Sequence, residues 1–158
     1  MLMPFRLLSP ERTLRDESIR SVSLPTTDGE VTILPHHTAL VALLVPGVVK
    51  IQRENGTEEL AVSGGFIEVK EANKGITVLA DTAEYEEELD LSSIEAAKQR
   101  AENVMKQTAL SDEAGFAAAA AALQRELARY KVAVRHRARL GSIPTVDQSR
   151  IHHKNNAE

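Results

Sequence analysis

Two histidine pairs, His36-His37 and His152-His153, and a belt of arginines are the side chains of this 158-residue chain best suited to chemistry. Imidazoles ligate metals or move protons, and guanidinium groups grip carboxylates and phosphates. Adjacent residues on a strand point to opposite faces, so His36 and His37 could share a metal only on an irregular turn, which Pro35 can supply. No Cys accompanies them, and neither H-x-H nor H-E-x-x-H spacing occurs, so no metal ligand is assigned. Ser63, in Ser63-Gly64-Gly65, has no His or Asp partner at a readable spacing and reads as a turn residue. Glu86-Glu87-Glu88 reads as a solvated run ahead of a helix N-terminus, a mildly favourable place for negative charge. No catalytic residue is assigned either.

The arginine belt is the more distinctive feature. Arg125, Arg129, Lys131, Arg135, Arg137 and Arg139 follow one another with only Glu126 opposing them. A solvated helix end, an acidic protein surface or nucleic acid would each suit such a belt. Nucleic acid is disfavoured, because the chain carries a net charge of −4, only 3 % aromatics and no Trp to stack bases. The charge is unevenly spread. Residues 1–88 hold eight Lys and Arg against fifteen Asp and Glu, a net of −7, whereas residues 89–158 hold eleven against eight, a net of +3. Two modules with opposite surfaces could attract one another or face separate partners.

These side chains need elements to carry them, and the first half punctuates like an all-β unit. Asp28-Gly29, Pro46-Gly47, Asn55-Gly56, Gly64-Gly65 and Asn73-Lys74-Gly75 mark turns between short apolar runs. Asn55-Gly56 predicts a tight hairpin. Val62, Ile67, Val69, Ile76 and Val78 alternate as buried strand positions, with Gly64-Gly65 expected to make a tight reversal. Leu40–Val45 is nearly all apolar and is expected to be covered on both faces. Two packed antiparallel sheets are expected. The most apolar run stops at Pro46-Gly47, far short of the ~20 residues that span a bilayer. The start, MLMPFRLLSPER, reads as no signal peptide. The absence of Cys suits a reducing compartment.

After Asp90 the period becomes helical. Ser92 with Glu95 reads as a capping box. Ile94, Ala97, Ala101, Val104 and Met105 form the stripe of a first helix; Phe116, Ala119, Ala120, Leu123, Leu127, Tyr130 and Val134 form that of a second, ending near Arg139. A link over 111–115 makes an antiparallel hairpin. Its seam is mostly alanine, at about 0.8 kcal/mol per buried methyl against about 1.5–3 for a Leu or Ile side chain. The run Ala117–Ala122 has the best helix propensity available. Weak docking with strong self-helicity describes an arm that can detach. The fold class is thus a mainly β N-terminal sandwich over residues 1–88 plus a C-terminal antiparallel α-helical hairpin over 89–140. A polar tail over 141–158 is expected to be disordered.

The wording of several segments is more specific than these patterns. SGGFIEV followed by VLADTAE, TTDGEVTILPHHTALVALLVPGVVKI, LDLSSIEAAKQRAE and LQRELARYKVAVRHR occur in order between Pro4 and Arg139. Together they resemble the epsilon subunits of bacterial F-type ATP synthases. The resemblance implies a non-catalytic rotor subunit that couples ion flow through the c-ring to ATP synthesis. Its sandwich would bind the gamma subunit and rest on the c-ring; its arm, extended to the catalytic alpha and beta subunits, would inhibit ATP hydrolysis. By residue, Glu30 and His37 would lie on the c-ring and gamma side, and Arg125, Arg129 and Arg135 would meet the catalytic head.

Some members of that family bind regulatory ATP between sandwich and arm; here Leu89-Asp90 opens the associated motif, Arg100, Arg125 and Arg129 occupy matching positions, and Glu84 lies nearby. Ser93-Ile94 stands where the motif has Arg-Ala, which removes a phosphate partner; the expectation is a chain without a cofactor. The implied location is peripheral, on the cytoplasmic face of the cell membrane, without membrane insertion or nucleic-acid binding. A non-enzymatic adaptor or chaperone, a sandwich with a coiled-coil prong, fits the composition and periodicity equally well.

Overall fold

Alternation governs the first half of the chain, as in MPFRLL, where Met3, Phe5 and Leu7 are buried and Pro4 and Arg6 are exposed. The computed structural model describes residues 1–108 and 112–141. Its strands are β1 (Met3–Leu8), β2 (Thr13–Ile19), β3 (Ser21–Thr26), β4 (Gly29–Ile33) and β5 (Leu40–Leu44). They continue with β6 (Gly47–Arg53), β7 (Gly56–Val62), β8 (Gly65–Lys70), β9 (Gly75–Ala80) and β10 (Ala83–Tyr85). A 3₁₀ turn over Glu86–Glu88 leads to α1 (Leu91–Gln107) and α2 (Glu113–Gly141). The predicted tail beyond Gly141 lies outside the described residues, as does Ser111 of the predicted link.

The strands form a ladder in the order β10-β7-β6-β3-β5-β8-β9-β1-β2, with β4 paired to β3. The single pair Thr26↔Leu44 joins β3 to β5. There the ladder folds over, so the two expected layers are one continuous hydrogen-bonded structure. All its pairings are antiparallel except β1 with β9, which is parallel. Phe5, Leu7 and Ile67 from one layer and Leu24, Ile51 and Leu60 from the other meet in one core cluster. Every member of that cluster lies between Met3 and Tyr85, and neither helix contributes to it. The sandwich therefore has the makings of an independent folding unit.

Asn55-Gly56 makes the expected hairpin, with Arg53 facing Gly56 across β6 and β7. Gly64-Gly65 departs from expectation. It carries the chain from β7 in one layer to β8 in the other, because β8 pairs with β5 and β9 and not with β7. Ala72 and Asn73 both have positive φ in the β8–β9 turn, the handedness that suits a strand twist. Asn73 is held there by its Nδ2 donating to the Leu2 carbonyl at 3.1 Å.

Leu40–Leu44 also departs from expectation. Val41 and Leu43 are 75 % and 50 % exposed, so β5 is covered on one face only. An apolar run signals burial on both faces only when something covers the second, and among the described residues nothing does.

The helix start corrects a third expectation. Asp90 is the N-cap, not Ser92: its Oδ2 accepts from the Ser93 amide at 3.0 Å and from the Ser92 hydroxyl at 2.8 Å. A carboxylate two residues upstream outcompetes the serine for the free helix amides. The hairpin rests on β6, β7 and the 3₁₀ turn. Ile94, Ala101 and Ala119 are buried as expected, whereas Val104, Phe116 and Val134 are exposed.

Candidate functional site

The seam between α2 and the sandwich is built from charge. On the α2 face toward the strands, Ala128 and Val132 are buried, at a spacing of four that puts them on one stripe. Ion pairs flank them. Arg129 Nη2 donates to Glu84 Oε1 of β10 at 3.0 Å, and its Nε lies 2.8 Å from the other Glu84 oxygen, too poorly aligned to hydrogen-bond. Arg129 Nη1 donates to Glu126 at 2.8 Å. Arg135 Nη1 donates to Glu59 of β7 at 2.8 Å. Arg139 pairs with Glu86, and His136 Nδ1 lies 3.2 Å from the same carboxylate. The two oppositely charged modules thus attract one another within the chain. Burial would lower the Arg129 guanidinium, but hydrogen bonds to Glu84 and Glu126 outweigh it and hold the group above its ordinary pKa. Ala128 and Val132 bring about 2–3 kcal/mol of burial, and each half-exposed pair adds about 1 kcal/mol or less. Docking of this strength is reversible.

The segment leading to the arm is pinned. Arg12 Nη2 donates to Glu88 at 2.6 Å and the Arg12 guanidinium lies over the Tyr85 ring at 5.4 Å. Arg15 sits over the same ring at 4.5 Å and donates to its hydroxyl at 2.7 Å, and that hydroxyl donates to the Leu14 carbonyl at 2.6 Å. Arg15 and Arg53 also converge on Glu58. Burial pushes the Glu58 carboxyl up, but those two arginines outweigh it and hold it below the usual carboxylate range. Sequence reasoning missed this cluster. Its one readable signal was Tyr85, a rare aromatic in a chain with only two tyrosines.

Between arm and sandwich lies a cavity of about 440 Å³. Of the five candidate ATP residues, Glu84, Arg125 and Arg129 line it, while Asp90 and Arg100 do not. Asp90 caps α1 and Arg100 is exposed. Glu11, Asp81, Glu84, Glu88 and Glu126 face the cavity against Arg12, Arg125 and Arg129, an acidic balance. Arg125 is half exposed, its Nε 3.4 Å from Glu126.

On the other layer the outer face is apolar and open. Leu43, Phe66 and Leu79 stand in one cross-strand row over β5, β8 and β9, and Val41 lies two residues along from Leu43. Phe66 is 57 % and Leu79 52 % exposed. Aligned apolar side chains of this kind mark an interaction surface.

Glu30 and His37 are not brought together. Glu30 is the second residue of β4, next to the turn, 3.5 Å from Lys50 Nζ, and His37 lies four residues past the other end of the strand. His37 Nδ1 is 2.8 Å from the Thr38 carbonyl, and His36 has φ 65° with Nε2 2.9 Å from Met1 Sδ. Among the described residues no three His, Asp or Glu side chains converge as metal ligands. His152 and His153 lie outside the described residues.

Comparison with known proteins finds relatives of the chain and of its fold. Residues 2–86 match the family profile described as ATP synthase, Delta/Epsilon chain, beta-sandwich domain. The chain is 46 % identical over 96 residues to the ATP synthase epsilon chain of Desulforamulus reducens, covering 61 % of this chain and 71 % of that one. It is 39 % identical over 145 residues to that of Nitrosococcus oceani, covering 89 % and 99 %. It is 34 % identical over 131 residues to that of Caldanaerobacter subterraneus subsp. tengcongensis, covering 82 % and 92 %. The fold is shared with a chain in the cryo-EM structure of the Euglena gracilis mitochondrial ATP synthase, OSCP/F1/c-ring in rotational state 1. There the TM-score is 0.70 at 21 % identity, over 87 % of this chain and 81 % of that one.

Proposed function

Because the chain belongs to the delta/epsilon family of ATP synthase subunits, with residues 2–86 matching its sandwich domain, we propose that it is a non-catalytic rotor subunit. Its sandwich joins the gamma subunit and the c-ring, and its arm inhibits ATP hydrolysis when it leaves the sandwich for the catalytic head. The observation that carries this reading is the two-sidedness of the sandwich. One outer face is occupied by the chain's own arm through reversible ion pairs, and the other presents the uncovered row Leu43, Phe66 and Leu79. A permanently bound shaft suits the apolar face. A partner that comes and goes suits the charged one, since Arg129 and Arg135 are already adapted to carboxylates. Glu30 and His37 are candidates for the c-ring end, and Arg125, Arg129 and Arg135 for the head.

The charge balance of the cavity argues against a nucleotide. A triphosphate would face five acidic side chains and three arginines there, so the working assignment is a chain that needs no cofactor. Among the described residues no helix is long and apolar enough to cross a membrane. The proposed place of the chain is peripheral, on the cytoplasmic side, reached through the c-ring, and it rests on the family membership.

A chain ending after Asp90 tests the reading. It should still co-purify with gamma and the c-ring, because its core is complete without the helices. ATP hydrolysis by the assembled complex should rise at least about fivefold, the lower range of typical coupling between sites. Unchanged hydrolysis would remove the inhibitory role. Failure to bring down gamma would favour an adaptor instead.

A further inference from the structure

We propose that a side-chain joint between β2 and β10 closes the strand ladder, making β2 the first strand of the sandwich to open and acid the condition that releases it. The joint stands whether or not the chain is a rotor subunit. β10 and β2 are the two ends of the ladder, and among the described residues no strand pairing joins them. Such ends are free sheet edges, and an uncovered edge is a template for another chain's strand. Here side chains cover it. Leu14 is skipped in the β1–β2 register, where Arg15 faces Leu7 and Thr13 faces Leu8, so it forms a bulge. Its carbonyl accepts instead from the Tyr85 hydroxyl of β10 at 2.6 Å and from Arg15 Nη1 at 3.0 Å. Arg15 Nε donates to Glu58 of β7 at 2.9 Å, and Arg53 of β6 pairs with the same carboxylate. Arg12 reaches Glu88, just past β10, at 2.6 Å. One edge strand is thus tied by side chains to the strands of the opposite layer.

Two features make the joint releasable. Glu17 Oε1 and Arg53 Nε are buried and 3.3 Å apart, yet neither has a hydrogen-bond partner among the described residues. An unsatisfied pair offsets part of what the neighbouring ion pairs contribute. The joint also depends on charge. Around Glu58 stand Arg15 and Glu17 of β2, Arg53 of β6 and Tyr85 of β10, while the adjacent Glu59 pairs with Arg135 of α2. Burial opposes ionisation of Glu58, but hydrogen bonds from Arg15 and Arg53 outweigh it and hold the carboxyl below its usual range. Glu88 is held low in the same way, by the Tyr85 amide and Arg12. A carboxyl depressed in the folded state contributes fully above its ordinary pKa of about 4.3, and that contribution is lost as pH falls through the folded value. Acid therefore loosens β2. β8 needs no such joint, because main-chain pairing to β5 and β9 holds it on both sides.

Amide hydrogen exchange of the full chain, followed through a urea series, tests this. Amides of β2 should exchange through an opening with a clearly shallower urea dependence than those of β8, because only a local segment becomes exposed. Tyr85→Phe keeps the ring beneath Arg12 and Arg15 and removes only the hydroxyl. It should speed exchange in β2 roughly fivefold. Ile67→Val, in the core of β8, should speed β8 and leave β2 at the parent rate. In the parent chain the β2 opening, corrected for intrinsic exchange chemistry, should grow as pH falls below about 4. Glu58→Gln should raise that opening roughly tenfold at neutral pH and flatten its growth in acid. Equal urea slopes for β2 and β8, or a β2 rate indifferent to Tyr85→Phe, overturns the joint. An acid profile that Glu58→Gln leaves unchanged overturns the release. The urea slopes and the acid profile of the parent need no substitution, so a misfolded variant cannot hide the answer.

Discussion

Phe66→Glu should weaken binding of the chain to the gamma subunit by about a hundredfold or more while leaving the sandwich folded. Phe66 is the middle of the cross-strand row, paired with Leu43 on one side and Leu79 on the other. A centrally placed aromatic at an interface typically contributes about 2 kcal/mol or more on truncation, and a carboxylate adds the cost of burying an unpaired charge. Stability should change by no more than about 0.5 kcal/mol, because the side chain is already 57 % exposed and points away from the core. Phe66→Leu should bind nearly as the parent does. The measurement is a titration of gamma with each variant, alongside thermal unfolding. If Phe66→Glu bound gamma normally, the apolar row would not be the shaft face. Inhibition of hydrolysis should disappear with the binding, since the arm reaches the head only when its platform is seated.

Several of these features could be read in the sequence, and the reasons for the others are local. Alternation placed Val62, Ile67, Val69, Ile76 and Val78 in the core correctly, because a half-buried strand has to alternate. It failed at Leu40–Leu44, where every residue is apolar but Val41 and Leu43 face outward. An interface strand and a core strand look alike until the other layer is located. The seam toward α1 was legible from Ala119, Leu123 and Tyr130 as an apolar stripe; Lys98 Nζ, 5.5 Å from the Tyr130 ring, confirms that side. The second contact face of α2 was not legible. Arg129, Arg135, His136 and Arg139 register as solvent-facing on any hydrophobic scale, and only the positions of Glu59, Glu84 and Glu86 turn them into a seam. Charge asymmetry announced that two surfaces existed without saying that they meet. The candidate ATP residues divided for a similar reason. Glu84, Arg125 and Arg129 share a cavity, whereas Asp90 is drawn off to cap α1 through Ser92 and Ser93.

Gly65→Ala should be among the most damaging single-methyl additions the sandwich can receive, at about 4 kcal/mol or more. Two penalties coincide there. Gly65 has φ +135°, a conformation that an L side chain adopts at a cost of about 1–3 kcal/mol. A methyl at that position would also lie 1.9 Å from the Leu79 carbonyl oxygen. That oxygen cannot retreat, because Leu79 is held in β9 between Phe66 of β8 and Leu8 of β1. The strands would have to separate at the first residue of β8, where Gly65 pairs with Leu44 on one side and Ala80 on the other. Gly56 isolates the first penalty. Its φ is +139°, but nothing lies within 4 Å of an added methyl, so Gly56→Ala should cost only the backbone term. With urea slopes of about 1–3 kcal/mol per molar for a small protein, the two variants should unfold at midpoints about 1 M or more apart. Equal midpoints would show that the β8–β9 seam yields, and that the glycine serves only its dihedral angle. Where Gly65→Ala still folds, it should also lose gamma, since the seam it pries open carries both Phe66 and Leu79.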